Sequence, residues 1–126
     1  MGTLIAGTAT CTESIRINND SAAHYSYEQI HALGAVLTTT TSGAVTWWVL
    51  HSLAAGVNTQ IDFTAEITNL TGLRKQIFIQ TGFGGATLEI VQGQSSETTE
   101  INRIDMLSNE ANGLLTDSTI TLYGMR

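Results

Sequence analysis

Hydrolytic or metal chemistry needs several titratable side chains at one place, so the three histidines, His24, His31 and His51, are the first residues to test. His24 and His31 stand at an odd offset, which turns them to opposite faces of a continuous strand. No H-x-H, H-E-x-x-H or H-x-x-x-H spacing occurs, so the histidines are expected at the surface or lightly buried rather than as ligands. Cys11 is the single cysteine. It allows neither an intrachain disulfide nor a cysteine-based zinc site, and with no histidine or cationic segment beside it the thiol reads as a small core residue. No G-x-S-x-G is present. Glu97 and Glu100 could be imagined as a carboxylate pair for glycoside cleavage, but their Ser/Thr-rich setting reads as a solvated loop or strand start. Gly82-Phe83-Gly84-Gly85 lacks a following Lys-Ser/Thr and a helix, which makes it a hairpin turn rather than a phosphate cradle. Asn18-Asn19-Asp20-Ser21 gathers oxygen donors but lacks the acidic pattern of a calcium loop, and an Asx turn is expected there. These residues predict no enzyme, no bound metal and no cofactor.

The aromatic residues leave a more open contest. Trp47 and Trp48 are adjacent, so a regular strand sends one ring into the core and the other outward, where it could stack on a sugar or on another subunit. Tyr25 and Tyr27 share one strand face and could serve as interface, glycan platform or core rim. These four residues are the candidates for subunit or glycan contact.

Whatever these residues do, strands must position them. Thr, Val and Ile recur in short runs, and no stretch holds the apolar i, i+3, i+4, i+7 pattern of a surface helix. The pattern predicts strands over Leu4 to Thr10, Glu13 to Asn18, His24 to Leu33, Ala44 to Leu53, Thr59 to Ile67, Lys75 to Thr81, Thr87 to Gln92, Glu100 to Leu107 and Ser118 to Tyr123. Alternation is clearest where Ile61, Phe63, Ala65 and Ile67 share a face, and where Ile15 and Ile17 flank Arg16. Asn/Gly-rich turns separate the runs. About seven to nine short strands at this spacing predict an all-β fold, a β-sandwich of jelly-roll-like topology, occupying residues 1–126 as a single domain.

The chain of 126 residues has 42% hydrophobic and only 13% charged residues, with 11 acidic against 5 basic side chains and a net charge of −6. That balance repels a phosphate backbone, so nucleic acid is not an expected partner. No window approaches the roughly 20 apolar residues of a membrane span, and the opening residues lack a basic n-region, which predicts a leaderless protein made in the cytoplasm of its host cell. Proline is absent, which removes one common device for protecting exposed strand edges.

Ile15-Arg16-Ile17-Asn18-Asn19-Asp20-Ser21 followed by Tyr25-Ser26-Tyr27 resembles a strand, turn and strand of small β-domains encoded by environmental tailed bacteriophages. Ile67-Thr68-Asn69-Leu70 with Arg74-Lys75-Gln76, Ile101-Asn102-Arg103-Ile104-Asp105, and the closing Thr119-Ile120-Thr121-Leu122-Tyr123-Gly124 are similar to later strands of those domains. The resemblance covers most of the chain in order. It implies a virion component: a capsid decoration or cement protein forming a homo-oligomer, expected as a trimer, with other virion proteins such as the major capsid protein as partners. The alternative it leaves open is a tail fibre or baseplate domain that binds host-surface glycan. It supplies no catalytic residue.

Overall fold

A computed structural model of the chain describes residues 1–6, 12–51, 59–84, 87–110, 113–114 and 117–124. Among them are ten strands: β1 (Gly2–Ile5), β2 (Glu13–Ile17), β3 (Tyr25–Leu33), β4 (Val36–Val45), β5 (Trp48–His51), β6 (Gln60–Ile67), β7 (Lys75–Phe83), β8 (Thr87–Ser95), β9 (Ile104–Ser108) and β10 (Thr119–Ile120). They form an all-β sandwich of two antiparallel sheets. The strands divide unevenly, seven in the order β10-β1-β6-β7-β8-β3-β4 against three in the order β5-β2-β9. Cys11 lies outside the described residues, as do the end of the strand expected to reach Thr10 and Gly85 of the glycine run.

Period-two alternation dictates which side of each strand is buried. Along β6, Ile61 and Phe63 are buried while Asp62 and Thr64 are exposed, and along β7 Ile77 and Ile79 are buried beside exposed Gln76, Phe78 and Gln80. Their inward side chains and Val91 of β8 meet Ile15 and Ile17 of β2 and Trp48, Val49 and Leu50 of β5 in one core. Ile67, at the far end of β6, is half-buried against that core.

Turn chemistry sets the connections. Asn18 and Asn19 both have positive φ, 52° and 55°, and the Asp20 amide donates to the Ile17 carbonyl at 2.9 Å, so two residues that tolerate the left-handed region reverse the chain after β2. Gly34, at φ 58°, reverses it between β3 and β4.

β4 is the element that departs most from the sequence pattern. Thr38 to Thr41 alternate nothing, and Thr41-Ser42-Gly43 reads as a turn. In the structure, Gly43 lies within β4, and the register against β3 slips between Tyr25 and Tyr27. Ala44, at φ 56°, sits at this bulge. The predicted strand from Ala44 to Leu53 is therefore split, β4 ending at Val45 and β5 starting at Trp48.

Phe63 is 7% exposed, and its ring also lies where a Cβ on Gly2 would stand, 2.8 Å from Phe63 Cε1. Truncation would open a cavity under β1. Phe63→Ala is expected to lower unfolding free energy by about 3 to 5 kcal/mol, measurable by urea denaturation.

Candidate functional site

Of the four aromatic candidates, two are core residues. Trp48 and Tyr25 are 0% and 1% exposed, and their rings meet edge to face with centroids 4.9 Å apart. Trp48 enters from the small sheet and lies over Gly93 of β8, where an added Cβ would stand 2.7 Å from the indole. Its Nε1 donates to the Gln94 carbonyl at 3.2 Å. Tyr25 enters from the large sheet. Its hydroxyl accepts from the Ile17 amide at 3.3 Å and can donate to the Ile17 or Asp20 carbonyl at the same distance. Tyr27 is half-buried against the core. Trp47 is the outward member of the tryptophan pair, 37% exposed, in the short link between β4 and β5. Interior packing takes Trp48 and Tyr25 out of any surface contact.

The histidines do not act together. His24 is exposed and its Nδ1 lies 2.8 Å from Asp20 Oδ2, within a turn where Asp20 Oδ1 also accepts from the Ala22 amide at 3.0 Å. His31 Nδ1 lies 3.2 Å from the Thr38 hydroxyl across β3 and β4. His51 departs from the surface expectation, being wholly buried. Its Nδ1 is 3.5 Å from Glu89 Oε1, its ring meets Phe83 edge to face at 4.4 Å, and Gln29 Nε2 donates to Glu89 Oε2 at 3.1 Å. Glu13, also buried, is the cross-strand partner of His51. Sequence spacing could not reveal this group, because its members come from β2, β3, β5 and β8. Each is at most 4% exposed, so the group is an interior polar cluster and not a surface for substrate. Among the described residues no three His, Cys, Asp or Glu side chains converge to hold a metal ion.

The remaining chemical candidates are engaged locally. Glu97 accepts from the Thr99 amide at 2.9 Å and its hydroxyl at 2.7 Å, bonds that hold its carboxyl below the usual range. Asn18 fastens the β2–β3 turn to the link between β8 and β9, accepting from the Asn102 amide at 2.9 Å and donating to the Glu100 carbonyl at 3.0 Å. Lys75, fully buried, donates to the Leu70 carbonyl and closes the β6–β7 loop.

What the sandwich leaves open is surface. Three strands cannot cover seven, and β4 is exposed on both faces along most of its length. At the β3–β4 turn, Leu33, Val36 and Leu37 are 52%, 63% and 67% exposed. On the outer side of the large sheet, Leu88 is paired through Ala32 with Leu37, and Ile30 with Ile90, so the apolar side chains adjoin. β4 is also an edge of ten residues without a charge, whereas the opposite edge, β10, has only two residues. No protein-family model, curated protein or solved structure matches the chain.

Burial raises the Tyr25 phenol above its ordinary value of 10.0, outweighing the hydrogen bond from Ile17. The unfolded chain then releases this proton first, so the phenol's contribution to stability is present below about pH 10 and is lost as pH rises through the folded value. Tyr25→Phe is expected to cost about 1 kcal/mol at neutral pH through the lost hydroxyl bonds and to flatten the alkaline fall in stability. Urea titrations at neutral and alkaline pH measure both.

Proposed function

We propose that this chain is a structural virion protein, a capsid decoration or cement subunit that associates with itself through the β3–β4 hairpin. The observation that carries this reading is the open, uncharged β4 edge, with exposed apolar side chains on both faces of the hairpin tip, Leu33 and Val36 on one and Leu37 and Leu88 on the other. An unpaired strand offers a row of backbone donors and acceptors, and exposed apolar area favours burial against a partner. In a chain of net charge −6, copies approach most readily through a strand that carries no carboxylate.

The resemblance of the closing segment to small tailed-phage virion domains supports the particle assignment and the expectation of a homotrimer, with the major capsid protein as the surface to which it binds. A ring of subunits would bury the hairpins against one another and leave the rest of each sandwich for the shell. The buried histidine and glutamate cluster offers no open nucleophile or acid–base pair, which favours a binding role over an enzymatic one.

The test is sedimentation at micromolar concentration, with and without empty capsids. The wild-type chain is expected to sediment as a trimer and to pellet with the shells. Val36→Glu with Leu37→Glu is expected to give folded monomers, since both side chains are exposed. A wild-type protein that stays monomeric and does not bind shells overturns the proposal.

A further inference from the structure

The outer face of the large sheet carries a second surface, away from the hairpin tip, whose chemistry differs from it. Strand register aligns Glu66, Phe78, Gln92, Glu28 and Thr41 in one row across β6, β7, β8, β3 and β4. At about 4.8 Å between strands, that row spans roughly 19 Å. The neighbouring row brings Gln76, Gln94 and Ser26 together. Between β3–β4 and β7–β8 lies a groove of about 410 Å³, lined by side chains of both rows, Glu28, Thr41, Gln76, Gln92 and Gln94 among them. Beside it on β7 stands Phe78, 44% exposed, with Gln76 and Gln80 two positions to either side and Gln92 opposite.

The donor set is informative. Each glutamine amide offers two donors and an acceptor, and each ionised carboxylate accepts on both oxygens. None of the Gln76, Gln92, Gln94 or Glu28 side chains hydrogen-bonds to another described residue, so these groups are free for a ligand. An aromatic ring among them offers a flat apolar surface. Paired hydroxyls that both donate and accept, on a ring with an apolar C–H face, match that arrangement. Charge narrows the class further. Among the described residues, Asp62, Glu66 and Glu28 are the charged side chains that these five strands turn to this face, all of them carboxylates; Lys75 points into the core, and Arg74 lies just before β7. An anionic ligand would meet the carboxylates without a compensating row of cations.

We propose that this face binds a neutral oligosaccharide, with Phe78 as the stacking platform and Gln76, Gln92, Gln94 and Glu28 as hydroxyl partners. The site goes beyond the self-association surface and does not depend on it. It also differs from the aromatic pairs that sequence singles out: Trp48 and Tyr25 are interior, and Phe78 follows Ile77 in a run that reads as core until the strand's facing is known. The bulge at Gly43 and Ala44 borders the groove and bends β4 there.

An array of neutral and acidic bacterial oligosaccharides, probed with the purified chain and with Phe78→Ala, Gln92→Ala and Trp47→Ala variants, tests the proposal. All three side chains are exposed, and the thermal transition of each variant confirms its fold. Wild type is expected to retain one or more neutral glycans, Phe78→Ala and Gln92→Ala to bind them roughly tenfold or more weakly, and Trp47→Ala to bind as wild type does. Retention of acidic glycans alone, no retention at all, undiminished binding by the Phe78 and Gln92 variants, or loss in the Trp47 variant overturns it. Because sedimentation reads the hairpin and the array reads this face, failure of one leaves the other standing.

Discussion

The contact of Trp48 with Tyr25 and Gly93 joins the two sheets, and much of the remaining architecture follows from it. A small sheet of three strands presents little apolar area of its own, so its largest side chain must find a deep seat on the larger sheet. Gly93 provides that seat by having no Cβ, and Ser26 O, 2.8 Å from where one would stand, closes it from the other side. Tyr25 then completes the wall. Its hydroxyl returns to the backbone of Ile17 on the small sheet, so the same aromatic pair couples the sheets through both ring packing and hydrogen bonds.

Beside this apolar joint lies an ionisable one. Glu13, His51 and Glu89 are all buried, with Gln29 and the Phe83 ring around them. Removing charged groups from water is costly, and their mutual attraction offsets the cost only in a satisfied arrangement. A strand slipped by one residue would send Glu13 or Glu89 to the opposite face, so the burial of both carboxylates beside His51 belongs to this register.

The unequal division of strands also determines what the protein offers to others. Because three strands cover only part of seven, the β3–β4 hairpin extends past the core with both faces open, and among the described residues most of the outer side of the large sheet is exposed. These are chemically distinct surfaces. The hairpin tip is neutral and apolar and β4 presents an uncharged edge, whereas the outer face around Phe78 is lined by amides and carboxylates.

Period-two alternation was enough to specify an all-β chain and the facing of its clearest strands: Ile61 and Phe63 on β6, and Ile15 and Ile17 on β2, point where their spacing requires. Asn18 and Asn19 likewise mark their turn, because the left-handed backbone favours that residue type. Alternation says nothing, however, about strands of uniform character, and so the threonine run of β4 could not be recognised as the sheet's longest edge. Nor can it choose the inward member of the Trp47 and Trp48 pair, since either parity is locally acceptable; the seat at Gly93, 45 residues away along the chain, decides it. The burial of His51 beside Glu89 and the exposure of Phe78 arise in the same way. Each depends on which strands become neighbours and on how far three strands reach across seven, and those are properties of the assembled sheets rather than of any local spacing.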